Sequence, residues 1–283
     1  MGSRSFEAKA ILGLYTETPL HCGSESGAGL VDLPIQRERH SHFPVIPGST
    51  IKGVLRDEMR GGLGPQVDEF FGSPDAATPG TISFGDGFLL AFPVRAASVP
   101  FAWVTCPMVL ERTYRAMKTA CPDMSGLKSG NGWASPGAEL RGDVLLEDVV
   151  VKIGDAPQAG SRSLFAIFEQ LLPDHDSFQY TRSIFPRRIV CVPDHDFEWL
   201  VESATEVVTR IKLDDDTKTT SGERGHMFNE ELVPRDALFA SVFRELSARE
   251  FPLRHIPETI RLGGDETIGR GVTWVKRHFL PGN

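Results

Sequence analysis

The stretch Pro47-Gly-Ser-Thr-Ile-Lys-Gly-Val-Leu-Arg-Asp-Glu-Met-Arg60 constrains the fold of this chain more than any other segment. At 3.6 residues per turn, Ile51, Val54, Leu55 and Met59 share one face, while Lys52, Arg56 and Arg60, spaced by four, share another. Such a helix must lay its apolar face on a second layer. Strand patterns flank it: residues 7 to 15 before it, residues 80 to 94 around a Gly-Asp-Gly turn after it, and then 102 to 105. The spacing predicts an α+β protein with Ser49 as the helix cap.

Other segments fill in the frame. Residues 161 to 172 and 197 to 211 show helical periodicity and predict amphipathic helices packed on a sheet. Residues 237 to 243 read as a strand or a helix start, 244 to 250 as helical, and 260 to 275 as a Gly-rich loop feeding a strand. Residues 120 to 140, rich in Gly, Pro, Ser and Lys, read as an exposed insertion. The polar stretch 213 to 234, with turn residues Ser221 and Gly222, reads as an extended hairpin.

The 283 residues allow one large domain or two small ones, and 40% hydrophobic content excludes a disordered or collagen-like chain. The 28 glycines and 20 prolines, about one residue in six against a usual ~12%, predict many loops on a compact frame. No apolar run approaches the ~20 residues of a membrane-spanning helix, and Met1-Gly-Ser-Arg-Ser-Phe6 has no secretory pattern, so a cytoplasmic location is expected. Cys22, Cys106, Cys121 and Cys191 are scattered and support neither a disulfide framework nor a zinc site. A net charge of −8 argues against indiscriminate nucleic-acid binding, so a nucleic-acid site must be local.

Local chemistry points to such a site. The amides at the start of the 49–60 helix, with Lys52 and Arg56 beside them, suit a phosphate; solvated basic residues on an ordinary helix are the plainer reading. Gly263-Gly-Asp-Glu-Thr-Ile-Gly-Arg-Gly271 offers close backbone approach to a sugar-phosphate chain, with Arg270 adding charge. A tight turn at a sheet corner explains the same glycines. The loop is neither a dinucleotide fingerprint nor a P-loop. Two Pro-Asp-His-Asp repeats, at 173 to 176 and 193 to 196, fit turns and helix starts better than metal sites, and Asp214, Asp215 and Asp216 fit a solvated turn. His21 either fixes a loop or lines a site, and Asp32 lies in an apolar run where a carboxylate is unexpected, unless it only holds a turn.

Three motifs carry a resemblance: Leu20-His-Cys-Gly-Ser-Glu-Ser-Gly27, Val31-Asp-Leu-Pro-Ile-Gln-Arg-Glu38, and Phe43-Pro-Val-Ile-Pro-Gly-Ser-Thr-Ile-Lys-Gly-Val-Leu-Arg56. Together with the terminal glycine loop and Phe84-Gly-Asp-Gly-Phe-Leu-Leu-Ala-Phe-Pro93, the chain from about residue 7 to residue 276 resembles the RAMP superfamily of CRISPR proteins. Within it, the chain is most similar to the repeated backbone subunit of the type III-B (Cmr) effector complex.

The resemblance implies one RAMP domain over 1–283: a ferredoxin-like, RNA-recognition-like palm, a protruding β-hairpin thumb and irregular insertions. Palm elements would occupy mainly 5–60, 80–110, 160–212 and 235–278, with 213–234 as the thumb. It implies CRISPR guide RNA, single-stranded target RNA, further copies of the chain in a helical stack and other effector subunits as partners. It also implies endoribonuclease cleavage of the target at regular intervals. The catalytic aspartate falls on Asp32; by its chemistry it would activate the 2′-hydroxyl beside the scissile phosphate through a weakly bound Mg²⁺ or Mn²⁺, the favoured route, or by taking the proton itself. Guide contacts fall on Ser49, Lys52 and Arg56, with Gly263, Gly264 and Arg270 from the glycine loop; His21 and Arg37 line the site. Met227 and Phe228, placed at the thumb tip, would wedge between bases. A guide gripped by its backbone leaves base edges free to select the target by pairing. Two competing readings are a guide-maturing RAMP endoribonuclease using His21 and a non-catalytic filament subunit in which Asp32 only holds its loop.

Overall fold

The computed structural model describes residues 8–23, 31–75, 77–156, 163–212, 226–247 and 249–280. The first half comprises β1 (Ala8–Thr16), β2 (Val45–Ile46), α1 (Gly48–Leu63), α2 (Gln66–Phe71), β3 (Ile82–Phe84), β4 (Gly87–Val94), β5 (Ala102–Thr105) and α3 (Pro107–Ala116). Then follow β6 (Asn131–Ala134), β7 (Gly142–Leu146), β8 (Val149–Asp155), α4 (Ala166–Glu169), α5 (Gln179–Arg188), β9 (Ile189–Cys191) and α6 (Asp194–Ser203). The chain closes with β10 (Glu206–Lys212), β11 (His226–Leu232), β12 (Leu238–Glu245), β13 (Thr259–Arg261) and β14 (Val272–Phe279).

The palm is legible in the strand order. β14, β1, β12 and β4 lie side by side and antiparallel, with α1 crossing from β1 to β4. In chain order these are the fourth, first, third and second strands, the arrangement of a ferredoxin-like split βαβ fold. The helix expected between the last two strands is replaced, among the described residues, by a short 3₁₀ turn at Leu253–His255 and by β13, which pairs with β14. Beyond β4 the sheet continues through β5, β9, β6, β8 and β7, with parallel pairing at β5–β9 and β6–β8.

The core lies between this sheet and its helices. Ile11, Leu12 and Leu14 of β1 and Phe239 and Phe243 of β12 are fully buried, and α1 buries Ile51, Leu55 and Met59 in the same core while packing on α2, β3 and β13. Each such side chain contributes about 1.5–3 kcal/mol on burial. α1 ends where Gly64 takes a positive φ of 54° and Pro65 follows. No helix among the described residues is long and apolar enough to cross a membrane.

Several local expectations are corrected. Pro47, not Ser49, is the N-cap of α1 and makes no side-chain capping bond of its own; the side chain of Asp86, distant in sequence, accepts at Oδ1 from Gly48 N at 2.7 Å. The helix expected over 161–172 shrinks to α4, because turns precede it and Pro173 follows; residues 161 and 162 lie outside the described residues. The helix expected over 197–211 stops at Ser203, and the β-branched run Val207, Val208, Thr209 and Ile211 forms strand β10 instead. The described residues of 244–250 are not helical: β12 runs on to Glu245 and pairs there with β3, and residue 248 lies outside the described residues. The insertion at 120–140 is not wholly an excursion, since β6 enters the sheet between β9 and β8 with Ala134 fully buried.

The hairpin also differs from its expected bounds. Its first strand is β10, upstream of residue 213, and its second is β11, while 213–225, including Asp214, Asp215 and Asp216, lies outside the described residues. Met227 and Phe228 are therefore not at the tip. They sit within β11, opposite Ile211 and Arg210.

Candidate functional site

Three segments meet beside the hairpin: the loop leaving β1, strand β11 and the glycine loop between β13 and β14. Leu20 and Val233 bridge first, each N–H donating to the other's carbonyl at 2.9 Å. His21 Nδ1 then donates to the Glu231 carbonyl at 2.8 Å, which places the ring against β11 with Nε2 4.0 Å from Glu230 Oε1. The His21 carbonyl accepts from Gly264 N at 2.9 Å. This close approach explains Gly263, which has φ +76° and would place a Cβ 2.1 Å from the His21 oxygen.

Residues 31–37 return along β11 like a short parallel strand. Leu33 N donates to the Asn229 carbonyl at 3.0 Å and Glu231 N to the Leu33 carbonyl at 2.9 Å. Asp32, exposed at the head of this run, accepts at Oδ2 from Asn229 N at 2.7 Å. Arg37 lies deeper, donating to the His42 carbonyl at 2.7 Å and to Glu231 Oε1 at 2.6 Å.

A charged network supports the other face of the hairpin. Arg210 reaches both carboxylate oxygens of Asp265 at 2.7 Å and both of buried Glu230 at 3.3 Å, while its guanidinium lies 5.5 Å from the centre of the Phe228 ring. Burial, and then the neighbouring Asp265, push the Glu230 carboxyl above its ordinary range. Arg270 Nε stands 4.0 Å from Asp265, and its side chain is largely covered. The glycine loop is thus bound to the hairpin by charge and to the His21 loop by backbone. Met227, two-thirds exposed, points away from this network.

The start of α1 forms a separate place. Ser49 and Lys52 line an open groove of about 490 Å³ together with residues 71–73, 78–80 and 82–84. Lys52 Nζ donates to the Ile82 carbonyl at 3.3 Å, and burial, with the nearby Arg56 charge, lowers the pKa of its ammonium. Arg56 turns from the groove to Asp68 Oδ1 at 2.6 Å. Among the described residues the groove shares no lining residue with the Asp32 cluster; α1 packs on β13, which leads into Gly263.

A model of the RAMP superfamily matches residues 14–274. The chain belongs to the RAMP superfamily. Among its relatives, the CRISPR system Cmr endoribonuclease Cmr4 of Pyrococcus furiosus is 34% identical over 92% of each chain. The crystal structure of oligomeric Cmr4 from Pyrococcus furiosus superposes with a TM-score of 0.74 at 28% identity, covering 98% of this chain and 100% of that one. A type III-B Cmr-beta structure bound to cognate target RNA shares the fold, with a TM-score of 0.73 at 18% identity over 96% and 98% of the two chains.

Within this RAMP fold, the structure brings together His21, Asp32, Arg37, Gly263, Gly264 and Arg270, which lie far apart in sequence. It adds Arg210, Asn229, Glu230, Glu231 and Asp265, which sequence reading passed over. Asn229 acts here through its backbone, which no residue type announces, and the adjacent pair Glu230–Glu231 in a strand was the one available signal. For a cation, no three metal-ligating side chains converge among the described residues. Asp32 offers a single hard carboxylate, suited to Mg²⁺ or Mn²⁺ only with RNA oxygens and waters completing the shell.

Proposed function

We propose that this chain is the guide-RNA-binding backbone subunit of a type III-B CRISPR effector complex, stacked with copies of itself and with other subunits, and that it cleaves complementary target RNA at regular intervals. The observation that carries this reading is the 34% identity, over 92% of both chains, to an endoribonuclease of the Cmr system. The oligomeric state of the Pyrococcus furiosus relative supports the stacking.

Asp32 is the cleavage-site carboxylate in this reading. It is exposed to a substrate and held from behind by Asn229 N, so its position is set before RNA arrives. Its carboxylate takes the proton of the 2′-hydroxyl beside the scissile phosphate; the 2′-oxygen then bonds to phosphorus as the bond to the 5′-oxygen breaks, and that oxygen takes a proton from solvent. Asp32 would also be the residue that holds Mg²⁺ or Mn²⁺, whose chemistry is to neutralise charge on the phosphate. Ser49 and Lys52 bind guide phosphates in their groove. Gly263, Gly264 and Arg270 bring the second guide contact beside His21, and Arg37 supports the site from below. Met227 is the exposed member of the wedge pair, with Phe228 braced by Arg210.

The test uses the assembled complex with guide RNA and end-labelled target. Asp32→Asn should abolish cutting while guide and target binding stay intact, and EDTA should abolish cutting by the unaltered complex. Loss of assembly in Asp32→Asn would assign the residue a structural role, and unimpaired cutting would place the cleavage site elsewhere. Cutting of guide precursor by the chain alone would replace this reading with guide maturation.

A further inference from the structure

Glu231 is bonded to the segment that carries Asp32 from both sides. Its carbonyl accepts from His21 Nδ1, before that segment, and its N–H donates to the Leu33 carbonyl after it. Its carboxylate, on a side chain nine-tenths covered, accepts from Ile35 N at 3.0 Å, Arg37 NH2 at 2.6 Å and Thr205 Oγ1 at 2.9 Å. Burying a carboxylate is costly unless donors surround it, and three do. An apolar residue would fill the same space without that cost, so the interactions specify something beyond packing.

What they specify is register. Leu33 pairs with β11 through its backbone N–H and carbonyl; Pro34, which has no N–H, could not take its place, but Asp32 could, so the backbone bonds alone do not exclude a slip in that direction. A slip of one residue would turn Asp32 to the opposite face. The side-chain bonds from Glu231 to Ile35 N and to the Arg37 fork exist in only one alignment, and that alignment puts Asp32 opposite Asn229, two residues before Glu231.

We infer that Glu231 is a positioning residue for target-RNA cleavage, fixing the register of residues 31–37 on β11 and through it the place of the Asp32 carboxylate. This rests on the reading of Asp32 as the cleavage-site group. Glu231→Gln keeps the size of the side chain but turns an amide N–H₂ toward donors that need an acceptor.

In the assembled complex with guide RNA, Glu231→Gln should lower the cleavage rate at saturating target by about tenfold to a hundredfold, as small misplacements of catalytic groups do. Target affinity should stay within about twofold of the unaltered complex, and hydrogen exchange at the Leu33 and Ile35 amides should quicken. If Glu231→Gln fails to assemble, Arg37→Lys, which keeps the charge and loses the fork, is judged by the same readouts and should show a smaller loss in the same direction. A normal rate in the variant, with Asp32→Asn inactive, overturns this inference alone. So does a loss of affinity that parallels the loss of rate, which marks a general structural role. Persistent cutting by Asp32→Asn overturns the reading of Asp32 and this inference with it.

Discussion

The backbone N–H of Asn229 holds Oδ2 of Asp32 at 2.7 Å across 197 residues of sequence. The Asn229 carbonyl accepts from Leu33, so both of its backbone groups face the loop rather than β10. Proline at 229 would remove the donor without removing a bond of the hairpin itself. A hydrogen bond to a charged group contributes about 1.5–3 kcal/mol, and the exposure of Asp32 places this one at the low end. Asn229→Pro should therefore slow target cleavage about tenfold. Asn229→Ala, which loses only the side-chain bond from Thr209, should cleave near the normal rate. Single-turnover cleavage assays on both complexes check this.

Gly263 and Gly269 both have positive φ, but only Gly263 is crowded: a Cβ there meets the His21 oxygen at 2.1 Å, whereas nothing lies within 4 Å of one at Gly269. Left-handed strain costs about 1–3 kcal/mol at either position. Overpacking against backbone adds about 1–3 kcal/mol more at Gly263. Gly263→Ala should thus lower Tm clearly more than Gly269→Ala, and it alone should also impair cleavage, because it pushes on the loop that leads to Asp32. Thermal melts of the two variants decide the first point.

The palm was legible because its signals are local. β1 and β4 are near-continuous apolar runs buried on both faces, and α1 carries a helical period, burying the face that Ile51, Leu55 and Met59 mark out. The hairpin was misplaced because Phe197 to Ile211 satisfies a helical period while its second half is β-branched; pairing with β11, distant in sequence, settles Val207 to Ile211 as strand. Asp32 stood out as a carboxylate in an apolar run, and His21 as a histidine before a glycine-rich loop. Their partners did not stand out. Asn229 contributes only its backbone, and Glu231 and Asp265 take their meaning from residues far along the chain, so no spacing marks them. Lys52 and Arg56 share a face of α1 and look equivalent in sequence, yet Asp68 from the next helix engages Arg56 and leaves Lys52 in the groove.

His278 on β14 is partly buried beside Lys276, and burial first, then that charge, lowers its pKa from the ordinary 6.5. The unfolded chain therefore binds the proton more readily than the folded one. Stability associated with His278 is full above about pH 6.5 and falls as the pH drops from there toward the lowered folded value. Urea unfolding between pH 5 and 7.5 should show this decline, and His278→Gln should flatten it. An unchanged slope in the variant would assign the decline to other groups.

Lys52 and Arg56 should separate in their effects, although they are one turn apart on the same face. Lys52 lines the open groove and bonds only a carbonyl, so a phosphate entering there gains a cation without displacing a carboxylate. Arg56 is already held by Asp68, and its Nε is buried with no hydrogen-bond partner among the described residues. Lys52→Ala should weaken guide-RNA binding and reduce the slope of log affinity against log salt by about 0.7, the value for one phosphate contact on a single strand. Arg56→Ala should change that slope little and instead lower stability by about 1–2 kcal/mol, through the lost charged hydrogen bond and the packing of its stem. Fluorescence titrations of guide RNA at several salt concentrations, beside urea unfolding of both variants, measure the two effects. Equal salt slopes in the two variants would show that Arg56 leaves Asp68 to meet the RNA, and that the groove extends further along α1.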